Sequence, residues 1–136
     1  MVAAGHVYRL YVGFINPPKT KLLVLAYVAG DGRLRFFVIN SDRTELQKTR
    51  DEIRKHVIAI HATREHPFLT HDSWLNCHEL LGGWTAAQLE GEIASNPEKH
   101  IGILDADVLA RVRGVVSESR LLSTAEKDLI LRQWPR

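Results

Sequence analysis

Cysteine is almost absent from this chain: Cys77 is the only one in 136 residues. That excludes an intrachain disulfide and any zinc centre built from several thiolates. Long apolar runs are also missing. The longest, such as Leu22 to Ala29 and Phe36 to Ile39, fall far short of the roughly 20 residues that cross a bilayer. Met1 to Gly13 lacks the basic-then-apolar order of a secretory leader. There is no internal repeat, low-complexity tract or Pro/Gly/Ser linker, and no phosphate-binding glycine loop, nucleophile elbow or zinc-protease helix motif. These absences predict one soluble, cytoplasmic domain over residues 1–136, with no membrane contact.

What is present supports a packed core, since 45% of the residues are hydrophobic. The net charge of +2 hides an asymmetry: residues 1–64 carry 11 Lys/Arg against 5 Asp/Glu, whereas residues 65–136 carry 7 against 11. A basic half attracts polyanions by steering and counterion release, although ordinary solvated faces give the same count.

The first half reads as strands. His6 to Phe14 is rich in β-branched and aromatic residues and ends at Asn16-Pro17-Pro18. Lys21 to Val28 and Arg33 to Asn40 flank Gly30-Asp31-Gly32, a hairpin signal because glycine supplies the positive φ of a tight turn. The charged stretch Ser41 to Lys55 reads as a surface loop or short exposed helix. Val57 to Ile60 is a strand whose alternation sets Ile58 and Ile60 against Val57 and Ala59. A shorter strand is expected from Trp74 to Cys77, with Ser73, Leu75 and Cys77 on one face and Trp74, Asn76 and His78 on the other.

The second half turns helical. Thr85 is expected to cap a helix through Glu92. Asp105 caps a second, in which Val108, Leu109, Val112, Val115 and Val116 recur near the helical period. Ser123 to Glu126 matches a capping box opening a last helix through Gln133. Strands first and helices last predict an α+β fold: a small antiparallel barrel over about residues 5–104, with C-terminal helices over about 105–134.

Histidine is the conspicuous residue. His56, His61, His66 and His71 recur every five residues, and His78 follows. Imidazole exchanges protons near neutral pH, which suits acid–base chemistry, and Asp72 is placed to orient a histidine, not necessarily its neighbour His71. His71 and Asp72 are therefore candidate site residues from chemistry alone. A metal set of His61, His66, His71 and Asp72 is chemically possible, but no signature spacing supports it. Trp74 reads as core, Cys77 as a small buried residue, and Asp72-Ser73 equally as a turn or cap.

The order of motifs resembles the MazF/PemK-type toxin family of small SH3-like barrel endoribonucleases. Gly5 to Leu10 resembles its opening strand, with His6 where the family has aspartate. Lys21 to Leu25 resembles the strand after the first loop, with Thr20-Lys21 in place of Arg-Pro. Val57 to Thr63 resembles the central strand ending in a threonine-bearing segment. Ile101-Gly102-Ile103-Leu104, followed by Val108 to Val112, resembles the family's turn into a helix. The resemblance implies a toxin-like, metal-independent endoribonuclease acting on single-stranded RNA without a cofactor, partnered by an antitoxin protein. It also implies a symmetric homodimer, which an apolar supply larger than one barrel interior also suggests.

By position it implies that Lys21 stabilises phosphate charge, His61 serves as base or acid, and Thr63 hydrogen-bonds a phosphate oxygen. The alternatives are a non-catalytic binding or regulatory module on the same barrel, or a metal-dependent hydrolase using the His/Asp cluster. Convergence of His61, His71 and Asp72 on one concave face favours an enzyme; separate solvent patches favour a module.

Overall fold

The computed structural model describes residues 2–63 and 65–136. Six strands form one antiparallel sheet: β1 (His6–Val12), β2 (Lys19–Val28), β3 (Leu34–Asn40), β4 (Val57–Ile60), β5 (Ser73–Leu81) and β6 (His100–Ile103). Their order across the sheet is β4-β5-β3-β2-β1-β6. Register shifts interrupt the β1–β6, β2–β3 and β3–β5 ladders. Such bulges sharpen local twist, and here they curl the sheet into a half-barrel. The helices are α1 (Glu45–Thr49), α2 (Asp51–Arg54), α3 (Ala86–Ser95), α4 (Ala106–Glu118) and α5 (Thr124–Gln133). Among the described residues, no helix is long and apolar enough to cross a membrane.

Both faces of the sheet are covered. Val7, Val24, Phe37, Ile39, Ile58, Ile60, Leu75 and Cys77 face a core closed by Val108, Val112 and Val116 of α4, Ile130 of α5, and Trp134. Tyr8, Leu10, Leu23, Leu25, Leu34 and Phe36 face the other core, closed by Leu89 of α3. Two-sided burial is why β2 reads as a nearly continuous apolar run, whereas β4, with Val57 and Ala59 only half-buried, alternates. The dimer argument from surplus apolar area loses its footing here, because both hairpin faces are satisfied within one chain.

The strand and helix expectations hold in order. Gly32 takes φ +86 in the β2–β3 turn, where Ala29 and Arg33 close the hairpin. Thr85, Asp105 and Ser123 cap α3, α4 and α5 as read, with capping boxes at Thr85 and Ser123. Ser41 to Lys55 forms two short helices. Two readings need correction. Ile101-Gly102-Ile103 is not simply a turn: it is strand β6, which follows α3 and pairs with β1. Four residues with a central glycine and little buried surface leave almost no periodic signal. Trp74 is not core either. It is half-buried on the face opposite Leu75, and the Arg43 guanidinium sits 4.1 Å above its ring centre.

Candidate functional site

A cleft of about 520 Å³ opens at one end of the sheet, where β2 outruns β3 and two loops rise beside it. β2 contributes Lys19, Thr20, Lys21 and Leu22, and β3 contributes Ile39 and Asn40. Ser41 to Thr44 form one wall, and Phe68 to His71 form the other. The charged lining is Lys19, Lys21 and Arg43 against Asp42 alone, so the cleft favours anions.

Lys21 sits partly buried and donates from Nζ to Asn40 Oδ1 at 2.6 Å. Burial first, then the charge of Lys19, push its pKa below the ordinary lysine value. Desolvation has this sign because it disfavours the ammonium form. A partly desolvated cation interacts more strongly with an incoming anion than a fully solvated one does.

His71 hangs from the opposite loop. Its Nδ1 lies 3.0 Å from the Asp72 carbonyl, an acceptor only, so Nδ1 carries the proton and donates. Ser73 Oγ supports the same turn by donating to the His71 carbonyl at 3.2 Å. In neutral His71 the lone pair is therefore on Nε2, which no group among the described residues engages.

Asp72 points elsewhere. Its Oδ1 accepts from the Ala62 backbone N–H at 2.8 Å, and its Oδ2 lies 3.2 Å from His61 Nδ1. The Ala62 bond first, and His61 second, hold its carboxyl below the ordinary carboxylate range. The histidine that Asp72 orients is thus His61, one rung beyond the Ile60–Ser73 pair of β4 and β5. Both partners are well exposed, with side chains 66% and 68% accessible. His61 and Asp72 lie outside the cleft lining. Thr63 is exposed on the loop after β4 and also lies outside it. Of the five residues singled out from sequence, the cleft gathers Lys21 and His71.

His56 and His66 are structural. His66 is 2% exposed; its Nε2 accepts from the Asp105 N–H at 3.2 Å, and its Nδ1 donates to the His61 carbonyl at 3.3 Å. It pins the cleft loop to the N-terminus of α4. His56, also buried, bonds the Glu52 carbonyl and Ser119 Oγ, both at 2.6 Å. With both ring nitrogens committed, His66 is unavailable to the metal set read from sequence. Among the described residues, no group of three or more His, Cys, Asp or Glu is placed to hold a metal ion. Cys77 is fully buried, and burial pushes its thiol pKa far up, so it is no nucleophile. His78 points to the opposite face, toward Gln47.

Sequence reasoning missed Lys19 and Arg43. Lys19-Thr20-Lys21 opens a strand and carried a usable signal, because alternation sends two lysines to one face. Arg43 carried none, since only the fold of the Ser41–Thr44 loop brings it to Lys21. Compared with known proteins, the chain matches no protein-family model and no curated sequence.

Proposed function

We propose that this cleft binds the sugar-phosphate backbone of single-stranded RNA and cleaves it without a metal. One observation carries the reading: Lys19, Lys21 and Arg43 line the same cleft as His71, whose bonding leaves Nε2 as the proton acceptor. In the proposed step, His71 Nε2 takes the proton of the 2′-hydroxyl as that oxygen bonds to phosphorus. The phosphorus–5′-oxygen bond breaks, and the cations stabilise the charge developing on the phosphorane oxygens. The departing 5′-oxygen takes a proton from a second acid, the role this reading gives to protonated His61, held by Asp72. The products are a cyclic phosphate and a 5′-hydroxyl. Single strands fit because a splayed backbone reaches in-line geometry that a stacked duplex resists.

The half-barrel with C-terminal helices is compatible with a divergent SH3-like barrel of the MazF/PemK type. An antitoxin partner and a homodimer belong to that reading, and the dimer now rests on the resemblance alone. A second reading, a non-catalytic RNA-binding module, is favoured by a specific observation: His61 and Thr63 stand outside the lining, which leaves His71 as its one histidine.

Purified protein incubated with varied long RNAs, with and without EDTA, separates the readings. The expected result is EDTA-resistant cleavage of single-stranded RNA, no cutting of DNA, and twice the chain mass by light scattering. Binding without cleavage supports the module, and activity abolished by EDTA transfers the chemistry to a metal.

A further inference from the structure

Strand β1 sends alternate side chains to the two faces of the sheet. Tyr8, Leu10 and Val12 enter the core under α3, while Val7 enters the core under α4 and α5. Arg9 and Tyr11 share Val7's face, but both are exposed, and Tyr11 is 64% accessible. The register pairs Arg9 with Leu22 and Tyr11 with Thr20, and both of those partners line the cleft. Arg9 and Tyr11 therefore stand one strand spacing, about 5 Å, from the cleft wall. The Tyr11 ring leans over Gly13: a Cβ there would stand 3.3 Å from its Cε2, so the missing side chain makes room for the ring. Residues 1–30 carry Arg9, Lys19 and Lys21 and no acidic residue.

An exposed aromatic on the same strand face as Arg9, two residues away, has the chemistry of a single-strand platform. The cation holds a phosphate, and the ring offers a face to a base. We propose that this uncovered end of the β1–β2 face is a track that leads single-stranded RNA into the cleft, with Tyr11 stacking the base beside it. The inference rests on the reading of the cleft as an RNA site and extends it by naming a residue that positions a base.

The test uses the full chain and a short single-stranded RNA, 2′-O-methylated so that it cannot be cut through its own hydroxyl, and carrying a fluorescent purine analogue. Wild type is expected to bind and to quench the purine by stacking. Tyr11→Ala should weaken binding about tenfold and abolish the quench, while Tyr11→Phe keeps both. Arg9→Ala should weaken binding and lower the slope of log affinity against log salt by about one. Because Tyr11 is exposed, an unchanged thermal midpoint serves as the folding control. If wild type binds but Tyr11→Ala matches it in affinity and quench, the track is overturned and the cleft reading stands. A change in oligomeric state with RNA binding unaltered overturns it too, in favour of a protein interface. If wild type fails to bind any single-stranded RNA, the cleft reading itself falls, and the track falls with it.

Discussion

Two pairs of histidines, interleaved every five residues along the chain, live in opposite environments. His56 and His66 are buried, and each spends both ring nitrogens on the fold, tying α2 to Ser119 and the cleft loop to α4. His61 and His71 are exposed, and each has one nitrogen held, by Asp72 Oδ2 and by the Asp72 carbonyl respectively. Chemistry needs the second arrangement. A ring with one nitrogen fixed and the other open has a defined tautomer and a place to put a proton. A ring with both nitrogens bonded has neither a vacancy nor freedom to move. The buried pair builds the frame that holds the exposed pair in position.

The comparison breaks most visibly at His66. Replacing it with alanine leaves a cavity and strips the partner from the Asp105 N–H, so His66→Ala should cost about 3 kcal/mol of stability. Urea denaturation measures it, and a loss below about 1 kcal/mol would show that the buried pair is not structural.

His71→Ala tests the other half. Cleavage should fall on the order of a hundred-fold, with the thermal midpoint unmoved, because the side chain is exposed. If cleavage persists in this variant and disappears in His61→Ala, the chemistry moves from the cleft to its rim.

The smallest effect is expected at Asp72. Its folded-state carboxyl titrates below the ordinary value, chiefly through the Ala62 N–H. Its stabilisation is therefore fully present above the ordinary carboxylate range and is lost as pH falls through the lowered value. Asp72→Asn should shift the thermal midpoint slightly at neutral pH, with the gap from wild type closing in acid. A gap that widens in acid contradicts the hydrogen-bonding assignment. A several-fold slower cleavage alongside would place His61 in the reaction.

Legibility in the sequence followed the range of the interaction. Val57 to Ile60 shows its two faces because alternation is a property of neighbouring residues. Thr85, Asp105 and Ser123 announce helices because a cap bonds a backbone N–H three residues away. β6 stayed hidden because its strand character comes from β1, more than ninety residues earlier, and not from its own four residues.

The candidate site divides the same way. Residue chemistry alone singles out His71 and Asp72, whereas the charge count places an excess of cations in the first half without naming Lys19 or Arg43. The Asp72–His61 pairing and the burial of His66 were decided by the β4–β5 register and the seat of α4. So was the meeting of Lys19, Lys21, Arg43 and His71, which come from one strand and two separate loops. By itself the sequence determined β1 to β5, the caps of α3, α4 and α5, and the apolar faces, because those depend on contacts within a few residues. Tertiary structure decided which titratable groups meet, and which are sealed away, because those contacts join segments whose separation leaves no local pattern.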